Sequence, residues 1–206
     1  MKKLYLFILV PIILGGICIS RYEKDDIKTY KELEKIDSAI IAEVNHSDHS
    51  LVSIISSLQQ AFEELIEVGI TFTDDQDISQ NLNQFNLALE NSNALVNRLN
   101  NLFALDSIIQ LSKIDYQNPN PLVDILSQEN MRIKQLESLT KTLGQTNAQL
   151  SSMDSIFYSK RNNEVFEYIE TLRHSFNQIQ EEYIQYSQCV TEYMKEKSNL
   201  YSQINS

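Results

Sequence analysis

Residues 165–204 read VFEYIETLRHSFNQIQEEYIQYSQCVTEYMKEKSNLYSQI, and their apolar positions fall at alternating steps of four and three. Val165, Ile169, Leu172, Phe176, Ile179, Tyr183, Tyr186, Val190 and Tyr193 form the stripe; Leu200 and Ile204 resume it after one interruption, at Lys197. A repeat that averages about 3.5 residues holds one seam of a helix against a partner helix along its whole length. The stretch therefore predicts a long helix in coiled-coil-like packing, over 163–205. The rest of the chain must supply the facing seams.

Working back from that helix, Leu122, Ile125, Ile133, Leu136, Leu139, Leu143, Leu150, Met153 and Phe157 predict a helix over 121–160. Gly144 weakens it by about 1 kcal/mol relative to Ala without ending it. Ile78, Leu82, Phe85, Leu89, Val96, Leu99 and Phe103, widened by Leu95, Leu102 and Ile109, predict another over 77–112. Between these two lies Asn118-Pro119-Asn120-Pro121, where Pro119 disfavours helix before it and Pro121 suits a first helical position. The first helix is expected over 22–70, from Leu33, Ile36, Ile40 and Val44 and then Leu51, Ile55, Leu58, Phe62 and Leu65. Asn45 to Ser50 separates these two sets by four-residue steps, a stutter that loosens a supercoil without requiring a break. Residues 160–163 are polar but lack Gly and Pro, so continuation and a turn are both open there; a hairpin buries both seams within one chain and is the expectation. The fold class is all-α: an elongated antiparallel helical bundle, or coiled-coil hairpins, of about four long helices in a domain over 21–206.

Lys2 and Lys3 precede an apolar run from Leu4 to Ile19, sixteen residues long. A spanning helix needs about 20 residues and a secretory core about 7–15, so residues 1–20 read as an export segment. Its end admits three outcomes: lipidation at Cys18 after Leu14-Gly15-Gly16-Ile17, ordinary cleavage before Arg21, or an uncleaved anchor. The chain is then exported and held at the cell envelope, on the extracellular face or in the periplasm.

The formal net charge is −11, with 28 acidic against 17 basic residues. Such a surface repels polyanions, so nucleic acid is not an expected partner. After the leader only Gly69, Gly144, Pro119 and Pro121 remain, which removes the residues that tight catalytic loops and phosphate cradles use. Two cysteines make no disulfide framework, and Cys189 beside the seam residue Val190 is expected as a half-buried thiol.

The nearest approach to a metal site is Glu43-x-x-His46 with His49 three residues on. Di-metal carboxylate bundles need a second such unit and further Glu from other helices. Glu170 and His174 are four apart, and the unit is not repeated, so a solvated polar stretch is expected and no cofactor. His174 lies between seam residues, with no Ser or Cys in a strained turn to serve as nucleophile. No catalytic residue is assigned. Tyr183, Tyr186 and Tyr193 occupy seam positions, and a buried Tyr must give its hydroxyl a partner or water. They form either a rim with hydroxyls at solvent or an open face for a partner or ligand, with Lys197 holding that face open.

The leader ending near Cys18, the acidic helical body with long heptads, and the tyrosine-rich last helix from Tyr183 to Tyr201 resemble, in overall plan, the cell-wall-binding lipoproteins of low-GC Gram-positive bacteria. The resemblance covers mainly the leader and residues 121–206; the body here is poorer in Lys, and Ile17 stands where a small residue usually precedes the Cys. It implies surface anchoring, a wall or protein partner, and a lipid on Cys18. The expected function is thus a non-catalytic, envelope-anchored scaffold, adhesin or accessory subunit that binds another protein or the cell wall, with homo-oligomerisation compatible. The alternative is a ligand-binding or sensor bundle with a tyrosine-lined groove.

Metabolic labelling with a fatty-acid analogue checks the leader: wild type should incorporate label and Cys18→Ala should not. Equal labelling of the two would remove the lipid.

Overall fold

The computed structural model describes residues 24–45, 50–71, 75–105, 121–153 and 163–204. Among these residues the chain forms five helices and no strand: α1 (Lys24–Val44), α2 (Leu51–Thr71), α3 (Asp75–Phe103), α4 (Pro121–Leu150) and α5 (Asn163–Ile204). Residues 1–20, where an export segment is expected, and with them Cys18, lie outside the described residues. No described helix is long and apolar enough to cross a membrane.

The helix limits have local causes. Pro121 opens α4, where its missing N–H and fixed φ cost nothing, and Asp124 in the first turn favours the helix dipole. The single helix expected over 22–70 is two. α1 closes with the N–H of Asn45 on the carbonyl of Ile41 at 3.0 Å, and α2 starts with its own cap, the N–H of Ser53 donating to Ser50 Oγ at 3.2 Å. A side-chain acceptor at Ser50 satisfies a donor that a continuous helix would have bonded to its preceding turn. α3 stops at Phe103 rather than 112: the N–H of Leu105 reaches back three residues to Leu102 O at 3.2 Å, a tightened last turn. α4 stops at Leu150 rather than 160. There Ser151 and Ser152 donate their hydroxyls to the carbonyls of Ala148 and Gln149 at 2.7 Å each, competing with the helical ladder.

The seam of α5 packs along α4 and meets α2. Leu172, Phe176 and Ile179 are fully buried, as are Leu136, Leu139 and Leu143 of α4 and Leu51, Leu58, Phe62 and Leu65 of α2. Contacts advance along α4 as they retreat along α5, from Gln135 with Gln185 (2.9 Å) to Thr142 with Glu182 (2.8 Å) to Gln149 with Ser175 (3.5 Å), so these helices run antiparallel. The chain direction therefore reverses between Leu150 and Asn163. α2 meets α5 through Gln59 with Gln180, the tilted rings of Phe62 and Phe176 with centroids 5.3 Å apart, and Glu63 with Arg173. α3 packs on both α2 and α4, and α1 touches α3 and α4. At Gly144 α4 approaches α3 closely: a Cβ there would stand 3.3 Å from Val96 Cγ1. The absent side chain that weakens the helix locally admits this approach.

Because Phe176 and Ile179 are enclosed by α2 and α4, Phe176→Ala should cost about 3–5 kcal/mol and Ile179→Ala about 2–5 kcal/mol. Gln178→Ala, on the exposed side of the same turn, should change stability by less than about 0.5 kcal/mol. Thermal and urea melts of the three variants check this. A wild-type melt for Phe176→Ala would mean that α5 is not packed by this face.

Candidate functional site

Charged side chains gather inside the body where α1, α4 and α5 meet. Arg132 on α4 is 1% exposed, yet it carries a full positive charge. Its Nε donates to Glu129 Oε2 at 3.2 Å and its Nη2 to Glu129 Oε1 at 2.6 Å, a two-pronged pair between residues three apart on one helix. Nη2 also donates to Asp37 Oδ1, which arrives from α1. The second Asp37 oxygen accepts from the Tyr193 hydroxyl at 3.2 Å and from Lys197 Nζ at 3.3 Å, both on α5. Arg132 and Lys197 lie 5.0 and 5.5 Å from the centre of the Tyr193 ring, where the face of the ring attracts cations. Two carboxylates and two cations thus balance within one water-poor layer.

The electrostatics follow from that enclosure. Burial raises the Glu129 carboxyl above its usual range even against the opposing pull of Arg132. Burial works against the Arg132 cation as well, but Glu129 and Asp37 outweigh it and hold the guanidinium more firmly charged than usual. Of this pair, Glu129 is therefore the group that can take up a proton. Burial, followed by the nearby carboxylates, keeps the Tyr193 phenol protonated far above neutral pH, and burial raises Tyr186 in the same direction. Tyr193 donates its hydroxyl to Asp37, the Tyr186 hydroxyl lies against the Arg132 guanidinium, and both rings serve as apolar walls.

A second polar layer lies at Asn147, fifteen residues beyond Arg132 along α4, about 22 Å away at 1.5 Å per residue. Ser92 Oγ and the Asn147 side chain exchange hydrogen bonds at 3.0 and 2.9 Å, and Asn147 Nδ2 also reaches Asn93 Oδ1 at 3.1 Å. Ser92 and Asn147 are buried.

The tyrosines singled out in the sequence take different places. Tyr186 and Tyr193 are buried, so neither lines an open face: their hydroxyl ends are turned toward the charges of Arg132, Glu129 and Asp37. Tyr183 is half-buried and stacks obliquely on Tyr186, with centroids 6.5 Å apart. Lys197 does not prop a groove apart; it is the second cation of the charged layer. Glu43 accepts from Arg98 of α3 in a surface ion pair. His46, His49 and Cys18 lie outside the described residues, and no group of three or more His, Cys, Asp or Glu placed to hold a metal occurs among the described residues. Cys189 is half-buried, and burial raises its thiol.

Sequence reading passed over Asp37, Glu129 and Arg132, although a signal was there. On α4 the steps Leu122, Ile125, Glu129, Arg132, Leu136, Leu139 keep the three-four rhythm, so two opposite charges stand in consecutive seam positions. Lys197 stands in the α5 rhythm in the same way, and Ser92 in that of α3 between Leu89 and Val96. Each seam interruption marked a member of a buried polar layer. Set against protein-family models, curated proteins and solved structures, the chain matches none of them.

Removing Arg132 leaves the Glu129 and Asp37 carboxylates short of their buried cation. Arg132→Met should cost about 3–5 kcal/mol, and replacing Asp37 and Glu129 by Asn and Gln in the same chain should recover much of that loss. Lys197→Leu, which the seam alone would rank as stabilising, should lower the melting temperature because Asp37 loses a cation. Glu129 also sets a pH dependence. Since its folded carboxyl titrates above the unfolded one, its contribution is complete below pH 4.5 and is lost as pH rises through the raised value. The melting temperature of Glu129→Gln relative to wild type should therefore climb as pH is taken upward from 4.5. A flat difference across that range would mean Glu129 is not perturbed by burial.

Proposed function

We propose that the chain is a non-catalytic, envelope-anchored helical scaffold, adhesin or accessory subunit, presenting helix faces to another protein or to the cell wall. In this reading the helix pairs close into one elongated antiparallel bundle with coiled-coil seams, set outside the membrane by the export segment that precedes α1. The observation that carries it is the use made of polar residues in the interior. Asp37, Glu129, Arg132, Lys197 and Tyr193 are matched to one another, and Ser92 to Asn147, so the buried polar groups hold helices in register instead of facing a substrate. Polar residues in a helical seam are best attested in that role. The acidic surface supports a partner with basic or neutral contact residues. α5, about 63 Å long at 1.5 Å per residue over its 42 residues, supports contacts made along a length rather than at a cleft.

Photo-reactive residues placed in living cells at the exposed apolar positions Leu87, Phe166, Ile184 and Met194 test the reading. One envelope protein or wall fragment should be captured reproducibly from neighbouring positions on one face. Failure to capture any envelope component from all four positions would sink the proposal.

A further inference from the structure

α1 stands apart from the other helices in how it is attached. α2 caps its own start with Ser50, so its first turn does not depend on α1 being in place. The described core residues of α1 are Ile36, Ile40 and Val44, and among them lies the buried Asp37. Near its end Glu43 is tied to Arg98 of α3, but that pair is partly open to water and contributes little. The groups facing the Asp37 carboxylate are Arg132 and Glu129 from α4, and Tyr186, Tyr193 and Lys197 from α5.

What α1 would leave behind matters as much as what holds it. Arg132 keeps a two-pronged partner, Glu129, on its own helix whether or not α1 is present. Lys197 is already about a fifth exposed and can turn its ammonium to water. The α4–α5 pair therefore tolerates the loss of Asp37 better than a buried ion cluster normally tolerates the loss of a member, because the charge left over is the one nearest solvent. Asp37, by contrast, brings to the interior a carboxylate that stands beside apolar Ile36 and Ile40.

We propose that α1 is a releasable strap: the Asp37 carboxylate latches it across α4 and α5, and it can leave while α2 to α5 stay folded, uncovering a cleft lined by Arg132, Tyr193 and Lys197. The strap follows directly on the N-terminal segment, so tension or binding at that end would act on the latch. The inference does not depend on how that segment is processed or on the scaffold reading.

Amide hydrogen exchange on the purified full chain at pH 7 tests it. In wild type, residues 24–44 should exchange roughly tenfold or more faster than 133–150 and 169–186, because a strap opens below the global unfolding free energy. Asp37→Asn should speed exchange in 24–44 by a further factor of roughly ten while leaving 133–150 and 169–186 within roughly twofold. Adding Lys197→Met to Asp37→Asn removes the cation left unmatched, and should return most of the lost protection to α1; a role confined to side-chain packing would give no such rescue. Equal protection of all helices in wild type would overturn the proposal. So would loss of protection throughout the chain in Asp37→Asn, an unchanged α1 in that variant, or a double variant no better than the single.

Discussion

A guanidinium that is 1% exposed is the constraint on which the arrangement of α1, α4 and α5 depends. Moving an ion of that size out of water costs several kcal/mol even after relaxation, and only close opposite charges with good hydrogen-bond geometry offset it. Glu129 supplies the local half of the compensation from the same helix, and Asp37 supplies the other half from α1. Asp37 in turn requires donors for its second oxygen, which Tyr193 and Lys197 provide from α5. Three helices are thereby held at one level along their axes by a chain of requirements, each of which follows from the previous burial.

The two polar layers divide the work of register. A seam of Leu and Ile specifies that helices pack but distinguishes poorly between neighbouring heptad offsets, since every offset still buries apolar area. Sliding α4 by one heptad against α5 would carry Arg132 away from the Tyr193 ring and leave Asp37 unable to reach both Arg132 and the Tyr193–Lys197 pair, and sliding it against α3 would separate Asn147 from Ser92. A half-satisfied polar layer is worse than an apolar one, because unpartnered groups in the interior forfeit their hydration without return. The layers thus penalise wrong offsets more than they reward the right one.

The same layers set the protonation state of the buried phenols. The phenols of Tyr186 and Tyr193 are kept protonated by burial and by neighbouring carboxylates, and the charged groups around them are already matched. Exposed apolar residues such as Leu87, Phe166, Ile184 and Met194 occur on several helices, among a surface that is otherwise polar and acidic. Scattered apolar residues of this kind are ordinary on a protein surface.

Helix content, and which face of α5 is buried, were legible in the sequence, because both depend on local periodicity and on the near absence of Gly and Pro. Phe176 and Ile179 stand in the core as their spacing required. The division of the first helix at Ser50 and the early end of α4 were not legible, since they turn on competition between side-chain and backbone hydrogen bonds that polar Ser-rich segments leave balanced. The meaning of the charged seam positions was decided by tertiary structure alone. In sequence, Lys197 is a gap in a stripe and Glu129 with Arg132 is a wider one, while Asp37 looks like a surface acid beside Ile36. Whether a charge is a defect, a groove or an anchor depends on what stands opposite it. Periodicity, being a property of one helix, carries no record of the residue that a different helix, 95 or 160 positions away in the chain, brings to the same point.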